Sequence, residues 1–177
     1  TIRDAADSYA DELGLEHSLN VTAVKPSGTL SLIANGASAA THSSHSPFHY
    51  RTIRMDKANP MFKVINKLNW RIEDDITRPD TTAVIYFPVK SEAKRTKFDV
   101  SAIEQLEMWL MYQRHFCEHK PSVTISVREE EWMEVGAFVY KYFDEMSGVS
   151  FLPHSDHTYK QAPYQDITKE EYLSLSK

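Results

Sequence analysis

The chain has 177 residues, 41% of them apolar and 25% charged, with a formal net charge of −5. That length suffices for one domain with a substantial core, and the acidic balance argues against general binding to nucleic acid or membrane surfaces. No apolar run approaches the roughly 20 residues that span a bilayer, and the single cysteine, Cys117, excludes an internal disulfide and fits a reduced, cytoplasmic setting.

Thr1 to Leu19 reads as a helix, with Ile2, Ala5, Ala6, Tyr9 and Leu13 at helical spacing and Gly14 as a stop. Val21 to Val24 reads as a short strand ended by Lys25-Pro26, and Leu30 to Ala34 opens a helix. Asn35 to Pro47 is a small, polar loop. Phe48 to Met55 alternates as a strand, and Asn59-Pro60 starts a helix striped by Met61, Phe62, Ile65 and Leu68. Trp70 to Ile76 is a short strand or an irregular return. Thr81 to Val89 is a strand whose continuous apolar run suits cover on both faces.

Ser101 to His119 is the longest predicted helix. Ser122 to Val127 follows as a strand, Glu129 to Ser147 as a helix stopped by Gly148, and Val149 to Leu152 as a last strand. Asp156 to Tyr164 reads as a loop, and Thr168 with Glu171 as a capped start to a terminal helix. Strands and helices alternate at about the spacing of βα units, so the expected class is α/β. No repeat or linker divides the chain, so residues 1–177 read as a single segment.

The most informative stretch is Val21-Thr22-Ala23-Val24-Lys25-Pro26-Ser27-Gly28-Thr29-Leu30. Strand, glycine-containing turn and helix start together make an anion site, because the first N–H groups of a helix lack partners. Gly28 permits close approach of the backbone, the Ser27 and Thr29 hydroxyls add donors, and the Leu30 amide joins them. A plain N-capped helix would look the same. No Gly-Lys-Thr ending is present, so this is not a Walker loop.

Other candidates are weaker. His115 and His119 stand four apart on a predicted helix and would share a face, with Cys117 off to one side and no third ligand nearby. His42, His45 and His49 cluster in and after the polar loop, and His154 and His157 flank Asp156. Arg51 and Arg54 suit either a phosphate or a salt-bridged strand face. Nothing marks Cys117 as reactive, and Trp109, Trp132, Phe138, Tyr142 and Phe143 read as core. No catalytic residue or metal ligand is assigned.

Thr22-Ala23-Val24-Lys25-Pro26-Ser27-Gly28-Thr29-Leu30-Ser31-Leu32 closely resembles the substrate-phosphate loop of adenosylcobalamin-dependent ribonucleotide reductases. Pro121-Ser122-Val123-Thr124-Ile125-Ser126-Val127, Glu131-Trp132-Met133-Glu134-Val135-Gly136-Ala137, Gly148-Val149-Ser150-Phe151-Leu152-Pro153 and Asp156-His157-Thr158-Tyr159-Lys160-Gln161-Ala162-Pro163-Tyr164 agree in the same order. The match is to the C-terminal part of that family's catalytic barrel. It implies a segment of a ten-stranded α/β barrel, with Ser27, Gly28, Thr29 and Leu30 holding the substrate phosphates. It also implies adenosylcobalamin as cofactor of the complete enzyme and a thiyl radical that takes a hydrogen from the ribose before the 2′-hydroxyl leaves as water. The wording of Lys25-Pro26-Ser27-Gly28-Thr29 leans to a ribonucleoside triphosphate substrate.

The family needs a radical cysteine and a reducing pair, and one cysteine cannot fill three posts. The expectation is therefore a part of a reductase, completed by the remainder of the polypeptide or by a complementary subunit. The alternative is a stand-alone α/β module that binds a phosphorylated ligand or a protein partner without catalysis.

Overall fold

In a computed structural model of the chain, the described residues are 1–27, 31, 37–68, 70–154 and 160–175. They form two compact units, one of Thr1–Ile33, Ser38–Ser43 and Val100–His154, the other of Ala34–Ala37, Ser44–Asp99 and Ser155–Lys177. The mixed α/β class is as the sequence indicates.

The first unit begins with helix α1 (Ile2–Leu13). A reciprocal capping box starts it, Asp4 N–H donating to the Thr1 hydroxyl and the Thr1 amine to Asp4. Gly14 ends it in the left-handed conformation at φ 65°, where a Cβ would be strained, and the Leu15 N–H closes back on the Ala10 carbonyl. The helix is thus shorter than the Thr1–Leu19 reading. Residues 21–27 form no strand. They still run beside residues 118–122, with His119 N–H donating to Thr22 O at 3.0 Å and Ser122 N–H to Val24 O at 3.1 Å. Pro26 has no N–H and His119 and Ser122 are three residues apart, so the contact never becomes a continuous ladder.

Helix α3 (Ala102–His115) packs on strand β4 (Thr124–Val127) and helix α4 (Trp132–Lys141). The core here is Ala102, Leu106, Ile125, Val127 and Val135, with Ile103, Val123, Phe138 and Phe151 packed against it. Trp109 is fully buried, and its indole N–H donates to Pro121 O at 3.0 Å, which satisfies the one polar atom of the ring. α3 stops at His115 rather than His119 because Phe116 leaves helical geometry. Cys117 therefore lies past the helix, still buried. The Glu129–Ser147 helix is broken into a short 3-10 turn (Glu129–Glu131), α4 and a second 3-10 turn (Phe143–Glu145). Of the aromatics read as core, Trp132 and Phe143 are exposed. Strand β5 (Ser150–Pro153) pairs parallel with β4, from Thr124 opposite Ser150 to Val127 opposite Pro153. β4, α4 and β5 are thus the βα crossover that the sequence spacing suggests.

The second unit is a four-stranded sheet in the order β2-β3-β1-β6, antiparallel throughout. Strand β1 (Phe48–Asp56) pairs along its length with β3 (Thr82–Lys90), Phe48 opposite Lys90 and Asp56 opposite Thr82. Helix α2 (Pro60–Ile65), capped by the Asn59 side chain, and strand β2 (Ile72–Asp74) connect them. This departs from the βα expectation. α2 has only six residues, and β2 pairs back on Ala83–Ile85 as a hairpin, so the chain reverses instead of crossing over. Strand β6 (Tyr164–Asp166) adds to β1 at the junction between the stretch read as loop, which ends at Tyr164, and the start of the terminal helix, where no strand is expected. Helix α5 (Lys169–Leu175) starts with the expected box, Glu171 N–H to the Thr168 hydroxyl at 3.1 Å and Thr168 N–H to the Glu171 carboxylate at 2.7 Å. Tyr50, Val84 and Tyr86 form the core, with Ile167 and Leu175 against them.

Candidate functional site: the Ser27 turn

Of the four predicted phosphate-binding residues, Ser27 is described. Gly28, Thr29 and Leu30 lie outside the described residues. Ser27 takes a positive φ of 43°, a conformation that is costly for a residue with a Cβ. Ser31 N–H donates to Ser27 O at 3.0 Å, the i to i+4 spacing of a helical bond. The Ser27 hydroxyl accepts the Ala40 N–H at 2.9 Å. A hydroxyl has one hydrogen and two lone pairs. The Ala40 contact uses a lone pair, so the Ser27 hydrogen remains able to donate.

What holds the turn can be followed outward. Ala40 is itself at φ 51°. Beside it, His42 Nδ1 lies 2.8 Å from Ala39 O, and His42 Nε2 accepts the Thr124 N–H at 3.1 Å. An amide N–H can only donate, so Nε2 is the acceptor and Nδ1 carries the hydrogen. A relay thus runs from β4 through His42 to residues 39 and 40, and on to Ser27. Sequence reasoning leaves His42 as loop polarity or a substrate contact; its position one residue past the small-residue run was the available signal. Ser31 is buried, and its hydroxyl has no partner among the described residues.

The remaining candidates are placed elsewhere. His115 is the last residue of α3, whereas His119 lies beyond it, with Nδ1 accepting the Lys120 N–H at 2.7 Å. The shared helical face that would have joined them does not form. His157 and Asp156 lie outside the described residues, and the His154 N–H donates to Val127 O at 2.7 Å.

In the second unit, Arg54 donates to Asp75 at 2.7 Å, and Arg51 lies 4.4 Å over the Tyr164 ring with Nη1 on Pro163 O. Arg54 thus follows the salt-bridged reading of the strand face, whereas Arg51 is engaged by a ring and a carbonyl rather than by a carboxylate. Asp75 is buried and also accepts from the Thr77 hydroxyl, Thr77 N–H and Arg78 N–H. These bonds, those of Thr77 first, hold its carboxyl well below the usual carboxylate range. His45 stacks on Tyr164, lies edge-on to His49, and faces Asp166 at 3.2 Å and Lys97 at 3.4 Å. Burial, helped by Lys97, pushes the His45 pKa down to about 4. Burial also lowers that of His49, whose Nδ1 lies 3.1 Å from Ser46 O.

No protein-family model matches the chain. Among curated proteins it is 34% identical over 163 residues to an adenosylcobalamin-dependent ribonucleoside-triphosphate reductase of Euglena gracilis, covering 90% of this chain and 22% of that protein. It is 31% identical over 174 residues to the reductase of the same name from Lactobacillus gasseri, covering 96% of this chain and 23% of the relative. The crystal structure of a B12-dependent (class II) ribonucleotide reductase superposes with a TM-score of 0.81 at 28% identity, over 98% of this chain and 25% of the other. The chain therefore spans about a quarter of the length of the proteins it matches.

Proposed function

We propose, from the premise that this chain is a relative of the adenosylcobalamin-dependent ribonucleotide reductases along nearly its whole length, that it is the part of such an enzyme that holds the substrate phosphates. The substrate would be a ribonucleoside triphosphate, reduced to the deoxyribonucleotide by radical chemistry. The radical cysteine and the reducing pair would come from the remainder of the polypeptide or from a complementary subunit.

The observation that carries this reading is the Ser27 turn. Its hydroxyl is fixed by the Ala40 amide with the hydrogen left to donate. Its carbonyl accepts the Ser31 N–H, the bond that the first turn of a helix would make. In such a turn the early N–H groups are unpaired and favour an anion, which is the role this reading gives to Gly28, Thr29 and Leu30. The chain's own part in the reaction is to bind and orient. It would hold the triphosphate with hydrogen-bond donors and so set the distance of the ribose from the radical centre.

Adenosylcobalamin would supply the radical in the complete enzyme. Its cobalt arrives already held by a corrin ring. Among the described residues no group of three His, Cys, Asp or Glu side chains is placed to hold a metal ion. No step is therefore assigned to these residues through the cofactor.

The test is adenosylcobalamin-dependent ribonucleoside-triphosphate reduction by the protein carrying this sequence at its natural length. Ser27→Ala should raise KM about tenfold, the weight of one charge-assisted hydrogen bond, with a smaller change in kcat. A protein that binds nucleotide but reduces none, with or without cysteine-bearing partners, would instead favour the stand-alone phosphate-binding module.

A further inference from the structure

The four-stranded unit contains a cavity of about 510 Å³, lined by Arg71, Glu73, Ile76, Tyr86, Lys160, Gln161 and Gln165. All seven residues belong to that unit. Its volume is in the range of small-molecule sites. The wall is built from internal bonds. Arg71 Nε and Nη2 donate to Glu73 Oε1 at 3.0 and 2.6 Å, and its guanidinium lies 4.2 Å over the Tyr86 ring. Glu73 Oε2 accepts the Tyr86 hydroxyl at 2.7 Å and Gln161 Nε2 at 3.4 Å. Gln161 is itself committed, with Nε2 on Asp74 O at 2.7 Å and Oε1 accepting the Ile76 N–H at 3.2 Å. It is held at φ 57°, against the preference of a residue with a Cβ.

This bonding fixes what the cavity can offer. Every oxygen of Glu73 is already taken by donors, so the carboxylate is spent and does not invite a cation. The Nη1 group of Arg71 carries none of the bonds to Glu73, and Lys160 is a second cationic residue in the lining. Arg71 and Glu73 offset each other, so Lys160 leaves the lining with one net positive charge. A guanidinium clamped along one edge and stacked on an aromatic face is pre-organised to present its other edge to a planar or tetrahedral oxyanion.

We propose that this cavity binds an oxyanion-bearing small molecule, a phosphate ester or a carboxylate, through Arg71 and Lys160. It is separate in sequence from the Ser27 turn and does not depend on the reading of that turn.

The test is calorimetric titration of the protein at its natural length with inorganic phosphate and, separately, with succinate. Lys160→Ala removes an exposed side chain and should keep the native circular dichroism while weakening one of the two anions about tenfold. Arg71→Lys, which keeps the charge but loses the fork, should weaken the same anion. The anion that responds identifies the ligand class. Ser27→Ala should leave this response in place. The proposal is overturned if neither anion binds. It is equally overturned if Lys160→Ala binds both within twofold of the parent, or if Ser27→Ala alone abolishes all binding. Should Arg71→Lys fail to fold, Lys160→Ala decides.

Discussion

The two units are held together by different physics. Around α3 the centre is apolar: Leu106, Ile125, Val127 and Val135 contribute no charge, and the buried Trp109 has its single donor satisfied. The four-stranded unit instead buries charge. Asp75, the residue after β2, is buried with four donors, and Glu73, Arg71 and Tyr86 form a bonded wall. The apolar centre of the first carries no titrating group. The second adds to its own apolar core a set of groups whose bonds depend on their protonation state.

The largest effect should come from the apolar centre. Leu106→Ala removes a fully buried side chain and should cost about 3 kcal/mol by urea denaturation, since large-to-small changes leave a cavity as well as lost burial. The loss should be the same at pH 7 and pH 5. A loss that grew on acidification would erase the contrast between the units.

Histidine titration sharpens it. His45 has a folded pKa of about 4 against an ordinary 6.5, chiefly through burial, with Lys97, Asp166 and His49 facing it. Between those values the unfolded chain takes a proton that the folded chain refuses, so stability falls as pH drops from 6.5 toward 4. His17 in the first unit runs the other way. Its bond to Asp11 at 2.8 Å, with Asp7 near, raises its pKa, so its contribution is full below 6.5 and fades as pH rises through the folded value. Imidazole NMR titration should place the two midpoints on opposite sides of 6.5, and His45→Gln should flatten the acid side of the stability curve.

The smallest effect tests the ends of elements. Thr168→Ala removes the hydroxyl that accepts the Glu171 N–H at the start of α5, and should cost about 1 kcal/mol in thermal unfolding.

The same contrast explains what the sequence revealed. Between β4 and β5 the connection is long enough for a helix to cross over, and the spacing reads correctly as a parallel pair. Between β1 and β3 the alternation looks alike, but α2 is too short to carry the chain across the sheet, and β2 folds back as a hairpin. Spacing alone does not register that difference, because it depends on which strand finds β3 first. The caps at Asn59, Thr168 and Gly14 were legible because each acts within a few residues. β6 was not, since Tyr164 to Asp166 gains its strand only from the distant edge of β1. The helix through His115 stopped early for a comparable reason: Glu118 and His119 are taken up by Val21 and Thr22. At the Ser27 turn the residue types were legible, and the bonds from Ala40 and His42 that orient them were not, being thirteen or more residues away.

The relay behind Ser27 also governs how this surface can drift. Ala39, Ala40 and Thr124 enter it through main-chain atoms alone, a carbonyl and two amides, which nearly every amino acid carries. Only Ser27 and His42 contribute side chains. The side-chain part of the geometry is therefore encoded in two letters, while 39 and 124 are open to most others. Position 40 is narrower, because its φ of 51° disfavours β-branched and bulky residues, and a change at position 42 would loosen the turn's anchorage from fifteen residues away.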